Sequence, residues 1–131
     1  HLGVDVWADA GTWIHAPLAG EVVGLADNAR PGDYGPTIIL RHGEPGNTIF
    51  TLYGHLDRGS LRVLEVGQML EKGQPFCHLG AAAVNGNWPP HLHFQVIRDL
   101  PEGASDFPGV AKPSEIDHYS HACPDPAPFL V

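Results

Sequence analysis

Cysteine and basic side chains are scarce in this chain of 131 residues. Its two cysteines, Cys77 and Cys123, are too few and too far apart to form a zinc knuckle or a disulfide framework. Seven Lys and Arg residues stand against fifteen Asp and Glu residues, which gives a formal net charge of -8. Because a nucleic-acid or anionic-membrane surface requires a basic face, this charge argues against both kinds of partner.

Hydrophobic runs long enough to span a membrane are also missing, since none approaches the roughly 20 residues that a transmembrane helix needs. No signal peptide precedes His1. A natural protein starts with Met, so a chain that starts with a candidate ligand is expected to be a piece of something longer. The lack of targeting signals therefore indicates little about localisation.

Glycine and proline, by contrast, are abundant. Sixteen Gly and thirteen Pro residues separate short apolar runs, a pattern typical of many short strands and not of long helices. The predicted strands are VDVWA, TWIHAP, GEVVGLAD, TIILRH, TIFTLYGH, PFCHLG and HLHFQVIR. One short helix is predicted from about Ser60 to Val66, where Gly59 and Gly67 limit its length. The expected fold is all-β, with a mainly antiparallel sheet.

The composition changes after about Arg98, where repeated prolines replace the apolar pairs. We expect residues 1–98 to form the domain and residues 99–131 to be a Pro-rich tail that wraps it or links it to another domain. His118, His121 and Cys123 in this tail have a spacing suggestive of a second metal site. We predict that they are structural or disordered instead, because Pro-rich segments are usually linkers.

Nine histidines are many for this length, and His is both the commonest metal ligand and the usual acid-base side chain near neutral pH. In a regular strand His1 and Asp5 would share a face but lie about 13 Å apart. We therefore expect Gly3 to allow a bend or bulge that brings them together. His91 and His93, two residues apart on a strand, project from one face and can converge.

Zinc suits such side chains, because catalytic zinc sites use three protein ligands, often His nitrogen and Asp oxygen, with water in the fourth position. The candidates exceed that number: His1, Asp5, His55, His91 and His93. The surplus histidines are then available to transfer protons. Isolated histidines are more often bonded to backbone or solvent than to a metal, and this is the interpretation for His15, His42 and His78.

These motifs resemble those of the M23 peptidases, the lysostaphin and LytM type of zinc endopeptidase that cuts bacterial cell-wall peptides. HLGVD is similar to the family's HxxxD, YGHL to its GH[LM] segment and HLHF to its HxH. APLAGEVVGLAD and VGQMLEKGQPFCHLG resemble two further segments of the family. The resemblance extends from His1 to about Ile97.

The resemblance implies a groove on an antiparallel sheet, of the barrel-sandwich-hybrid type, and a zinc-dependent endopeptidase for Gly-rich or D-Ala-containing, peptidoglycan-like peptides. Zn²⁺ would be held by His1, Asp5 and His93, and the catalytic histidines would be His55 and His91. The chemistry is coherent, because zinc lowers the pKa of its bound water towards about 7 and a neighbouring imidazole can accept and return protons. NGNWPPHLHF departs from the family's usual small-residue approach to HLHF, so we expect a bulkier groove wall near Trp88.

DYGPTIILRH, NGNWPPHLHFQV, DFPGVA and the CPDP tail also resemble the M23-like domain of some bacterial fusion proteins, where it lies between a kinase-like domain and a class III aminotransferase. That resemblance implies a cytoplasmic parent protein. Without it, a periplasmic or secreted location is expected.

Two other functions stay open. A regulatory or binding module within a multidomain enzyme would keep the metal but have little or no catalytic activity. A biotinyl or lipoyl carrier is suggested by APLAGEVV and GQMLEKGQPF, which resemble the two halves of such domains. A carrier needs an exposed lysine at a hairpin tip between those halves, and this chain has no lysine before Lys72, which disfavours it.

Overall fold

The structure is a computed structural model and describes residues 1–28, 30, 32–84, 88–100, 103–104 and 107–130. The strands are β1 (Val4–Trp7), β2 (Trp13–His15), β3 (Gly20–Asn28), β4 (Gly35–Glu44), β5 (Asn47–Gly54), β6 (Met69–Leu70), β7 (Pro75–His78) and β8 (His91–Ile97). The helices are α1 (Arg58–Arg62) and α2 (Ile116–Ala122), with short 3-10 helices at Pro113–Glu115 and Ala127–Leu130.

Six strands form one sheet in the order β1–β8–β5–β4–β3–β6, and each neighbouring pair is antiparallel. β2 and β7 form a second, two-stranded antiparallel sheet. The expected all-β, mainly antiparallel fold is confirmed, and each of the seven predicted segments contains a strand. β6 was not predicted, because a strand of two residues is too short to show an alternating pattern.

The short helix begins earlier and ends earlier than the sequence predicted. α1 covers Arg58–Arg62 rather than Ser60 to Val66. Asp57 caps its start, since the carboxylate accepts hydrogen bonds from the Ser60 backbone N–H at 2.8 Å and the Ser60 hydroxyl at 2.7 Å. The helix therefore starts directly after Asp57, which itself follows the candidate site residue His55 by two positions.

The six-stranded sheet is buried on both faces in its centre, which explains why β8 is buried at all seven positions. On one face Tyr53 and Phe94 belong to a large apolar cluster that includes Phe76 of β7, with Tyr53 and Phe76 ring centroids 5.0 Å apart. On the other face Ile39 and Ile97 belong to a second cluster. Strand residues alternate between the two clusters, as the period of two requires.

Residues 107–123 of the C-terminal segment pack on the second face of the sheet, whereas Phe129 packs against the first cluster, with its ring centroid 6.3 Å from that of Phe94. Phe107, Tyr119 and Cys123 belong to the second cluster. The Leu2 N–H donates to the Gly109 carbonyl at 2.7 Å, and the Arg98 N–H donates to the Ala122 carbonyl at 2.8 Å. These contacts hold the segment across the sheet next to the N-terminus.

Within the described residues, His118, His121 and Cys123 do not form a converging group of three metal-ligating side chains. His118 and His121 lie on α2, whereas Cys123 is buried against the sheet. The one converging group of three metal-ligating side chains found in the described ranges lies elsewhere. None of the helices in the same ranges combines the length and hydropathy needed to cross a membrane.

Candidate metal centre

Strand pairing brings the two ends of the sequence pattern together. β1 pairs with β8 so that Asp5 lies opposite His93 and Trp7 lies opposite His91. β8 also pairs with β5, where Gly54 lies opposite His93. His55 follows Gly54 directly, so this segment reaches the same place as the two strands. All five candidate site residues predicted from the sequence therefore lie at one end of the sheet.

Three of these side chains converge on a common point. His1 Nε2 lies 3.2 Å from Asp5 Oδ1, and His93 Nδ1 lies 3.5 Å from the same oxygen. The candidate ligand atoms of His1, Asp5 and His93 all lie within 4.8 Å of one another. Two ligand atoms held at about 2.0–2.2 Å from a tetrahedral ion are themselves about 3.3–3.6 Å apart. The separations from Asp5 thus match those that a zinc-sized ion requires.

The bend expected at Gly3 is present, but its physical reason differs from the one inferred from sequence. The chain bends at Gly3, and β1 begins only at Val4. No positive φ is required there; instead, a Cβ at this position would lie 2.5 Å from the Phe94 carbonyl oxygen and 3.0 Å from His93 Nε2. Gly3 is needed because the N-terminal segment passes directly against β8.

Hydrogen bonds select the ring nitrogen that each histidine presents. His1 Nδ1 lies 2.7 Å from the Gly3 carbonyl oxygen, and a carbonyl only accepts, so Nδ1 is the donor and Nε2 keeps its lone pair. His93 has the opposite arrangement, with Nε2 bonded to Gln95 Oε1 at 2.8 Å and Nδ1 directed at Asp5. Both unprotonated nitrogens therefore face the Asp5 carboxylate, as metal ligands must.

Burial favours the neutral, ligating form of His93. His1 and Asp5 are exposed, whereas His93 is buried. Desolvation lowers the pKa of His93, and the hydrogen bond to Gln95 and the nearby Asp5 carboxylate act in the opposite direction. A neutral imidazole is the form that binds a metal. The three residues fit a metal ion in chemistry as well as in spacing.

His91 and His55 lie beside this group with their rings 4.3 Å apart between centroids. His91 Nδ1 donates to the Pro89 carbonyl at 2.7 Å, which leaves the lone pair on Nε2, and Nε2 lies 3.7 Å from Asp5 Oδ1. His55 is the one non-glycine residue with positive φ in the described ranges, at 64°. Its N–H donates to the Tyr34 carbonyl at 2.6 Å and its carbonyl accepts from the Gly80 N–H at 3.0 Å. Such strained backbone persists where neighbouring bonds hold it, often at functional sites.

A groove of about 340 Å³ opens over these five residues. Its lining includes Tyr34, Trp88 and residues 107–110 of the C-terminal segment. The Trp88 indole N–H donates to the Asp33 carbonyl at 3.1 Å, and the ring lies 5.9 Å from that of His55. Trp88 itself therefore forms a bulky part of the groove wall, as expected. Asn85, Gly86 and Asn87 of the same motif lie outside the described residues.

Sequence reasoning missed two contributors to this site. Tyr34 contacts His93 with ring centroids 4.9 Å apart, and its hydroxyl donates to the Phe107 carbonyl at 3.0 Å. Gln95 bonds directly to His93. No local pattern marks Tyr34, which lies between β3 and β4, but the position of Gln95 two residues after His93 on one strand face was a usable signal.

Comparisons with known proteins agree with this fold. The sequence profile of peptidase family M23 matches residues 1–105. The catalytic domain of the antimicrobial peptidase lysostaphin from Staphylococcus simulans superposes with a TM-score of 0.66 at 26% identity, covering 99% of this chain and 78% of that chain. A Pseudomonas aeruginosa protein assigned to peptidase M23 gives a TM-score of 0.58 at 28% identity, covering 73% of this chain and 37% of that one.

A curated relative is the uncharacterized lipoprotein YgeR of Escherichia coli (strain K12), which is 34% identical over 97 residues. The match covers 72% of this chain and 33% of YgeR, so the chain spans about a third of the length of that relative. The family profile over residues 1–105 and the likeness to the lysostaphin catalytic domain place the chain in the peptidase class. The chain belongs to peptidase family M23. The comparisons give no support to the expected fusion with kinase-like and aminotransferase domains.

Proposed function

We propose that this chain is a zinc-dependent endopeptidase in which His1, Asp5 and His93 bind Zn²⁺ and His55 and His91 are catalytic. The observation that carries the proposal is the convergence of His1 Nε2, Asp5 Oδ1 and His93 Nδ1 next to two neighbouring imidazoles. Zinc, when bound, lowers the pKa of water and polarises a peptide carbonyl. Side chains of the protein would transfer the protons and bind the peptide.

His91 is the better oriented of the two histidines to accept a proton. Its Nδ1–H is engaged by the Pro89 carbonyl, so Nε2 presents a lone pair towards the groove beside Asp5. When His91 takes a proton from the attacking water, its Nδ1–H stays bonded to the Pro89 carbonyl, which holds the ring in place. As the C–N bond breaks, the leaving amine needs a proton, and protonated His91 can return the one it accepted, either directly or by way of His55, whose ring lies 4.3 Å from its own between centroids.

The substrate class is proposed from resemblance together with the shape of the groove. Gly-rich or D-Ala-containing, peptidoglycan-like peptides have small side chains, which suits a groove partly filled by Trp88 and Tyr34. The similarity to lysostaphin, a peptidase by name, supports a peptide substrate.

The alternative is a catalytically weak metal-binding or regulatory module of a larger enzyme. Its support is the departure of NGNWPPHLHF from the family's usual small-residue approach to HLHF, where the Trp88 ring lies 5.9 Å from that of His55. The presence of all five site residues counts against it, because inactive members of enzyme families typically lose some of them. Zinc binding without turnover on a broad peptide library would favour this alternative.

Alanine variants of three histidines test the assigned roles. His93→Ala should lose most of its zinc, because a three-ligand site reduced to two retains little metal. His91→Ala and His55→Ala should each keep zinc but lose about 10²- to 10⁴-fold in kcat, the usual contribution of a positioned acid or base. The losses should not add in the double variant, since the two act as one unit. The measurements are zinc content and kcat on glycine-rich and D-Ala-containing peptides.

A matched control is His15→Ala, which removes an exposed histidine from β2 and should leave zinc content and kcat unchanged. A zinc-free His91→Ala protein would show that ligand and catalyst are assigned the wrong way round within HLH. No metal in the wild type, or full activity in His93→Ala, would end the proposal.

A further inference from the structure

Gln95 is a fully buried polar residue that contacts the candidate metal centre without belonging to it. It lies on β8 two residues after His93, on the same face of the strand, and its exposed fraction is 0%. Its Oε1 lies 2.8 Å from His93 Nε2, the ring nitrogen that faces away from Asp5. A buried amide needs partners for all its polar atoms, so these contacts define how it is oriented.

The other contacts of Gln95 determine which end of the amide faces His93. Gln95 Nε2 lies 2.9 Å from the Pro108 carbonyl oxygen and 3.3 Å from Cys123 Sγ. A carbonyl oxygen can only accept, so the NH₂ group must face Pro108, and the amide oxygen must therefore face His93. An amide oxygen also only accepts, which means that His93 Nε2 carries the proton. The lone pair of His93 is then left on Nδ1, directed at Asp5.

The C-terminal segment supplies both partners of the Gln95 NH₂ group. The same segment accepts the Leu2 N–H through Gly109, one residue after Pro108. A Cβ at Gly109 would clash with the Tyr34 hydroxyl oxygen, so the segment runs tightly against the Tyr34 ring here. Residues 107–123 are thus joined by hydrogen bonds to the residue that follows His1 and to the residue that bonds His93.

We propose that Gln95 is a positioning residue, which holds His93 in the Nε2–H tautomer with Nδ1 ready to bind the metal, and that the C-terminal segment fixes Gln95 for this role. The proposal rests on the proposed zinc site. It adds that the site depends on residues beyond the three ligands. Partners that orient ligating histidines typically contribute about 10- to 100-fold to metal affinity.

The tautomer of His93 can be read directly by ¹⁵N NMR of the imidazole ring in zinc-free protein. Wild type should show the Nε2–H form. Gln95→Met, which is close to Gln in shape but offers no amide oxygen, should show a mixture of tautomers and bind zinc about 10- to 100-fold more weakly in competition with a chromophoric chelator. Gln95→Glu keeps an acceptor for His93 Nε2–H and, with its other oxygen protonated, a donor for the Pro108 carbonyl. This variant should therefore restore the wild-type tautomer and most of the affinity.

Thr51→Val is the matched control, because it removes a buried hydroxyl that bonds to His42 and Tyr53 and not to the metal centre. It should lower stability without changing the His93 tautomer or the zinc affinity. An Nδ1–H tautomer in the wild type would overturn the proposal without any variant. Unchanged zinc affinity in folded Gln95→Met, or equal losses in Gln95→Met and Gln95→Glu, would also overturn it. A wild-type protein that binds no zinc would instead refute the proposed function, whereas the tautomer is measured without metal.

Discussion

Alanine in place of Gly3 should weaken the metal centre without touching any of its ligands. The added Cβ would lie 2.5 Å from the Phe94 carbonyl oxygen, 3.0 Å from His93 Nε2 and 3.2 Å from Gln95 Cβ. The nearest of these is a backbone atom in the middle of the sheet and cannot turn away. The N-terminal segment must therefore move, and it carries His1.

The size of the effect follows from the overlap. Real Cβ atoms essentially never lie closer than 3.0 Å to such an atom, so the backbone must shift by about half an ångström, which is already the tolerance of a functional site. A misplacement of about 1 Å can reduce activity by about 10²-fold. We expect Gly3→Ala to lose between about 10- and 100-fold in kcat/KM and to bind zinc more weakly.

The assay compares Gly3→Ala with Gly59→Ala in zinc titrations, peptide hydrolysis and urea unfolding. Gly59 lies in α1, where a Cβ would meet nothing nearer than the Asp57 carboxylate at 3.7 Å, so its replacement should leave the site intact. Wild-type zinc affinity and kcat/KM in folded Gly3→Ala would refute the argument that close packing against β8 determines the position of His1.

Three other perturbations have defined outcomes. Burial lowers the pKa of His42 below its ordinary value of 6.5. Below about pH 6.5 the unfolded state therefore binds more protons than the folded state, so the free energy of unfolding should fall as pH decreases. His42→Gln should reduce this fall, as measured by urea titrations at pH 7.5 and 5.5. A chelator should lower the Tm of wild type, because zinc at about 100 times its Kd stabilises the folded state by about 2.7 kcal/mol, but it should not lower the Tm of His93→Ala. Trp88→Ala should raise KM for peptides more than it lowers kcat, because Trp88 lines the groove.

Each of these outcomes has a result that would contradict it. An equal pH dependence in His42→Gln and wild type would remove His42 as a contributor, since the other histidines, including His93, are common to both proteins. A chelator effect in His93→Ala as large as in wild type would mean that the metal stabilises another site. Unchanged KM in Trp88→Ala would mean that the peptide does not lie along this part of the groove.

Local pattern alone was enough to predict several features of this protein. Short β-branched and aromatic runs separated by Gly and Pro predicted an all-β fold, because these properties act over a few residues. The HLH spacing predicted that His91 and His93 share a strand face, which the alternation of side chains requires. The choice of His1, Asp5, His55, His91 and His93 as candidates also needed only the sequence, although the separate roles of these residues stay predictions.

Only the tertiary structure decided how those residues meet and what surrounds them. The register that sets Asp5 opposite His93, and Gly54 opposite His93 on its other side, joins strands far apart in the chain. Such pairing depends on burial of whole faces rather than on neighbouring residues. For the same reason the sequence could predict a bend at Gly3 but not its cause, and it could not show that Gln95 lies between His93 and the C-terminal segment. Local propensities act along the chain, whereas the chemistry of this site depends on contacts between segments that only folding brings together.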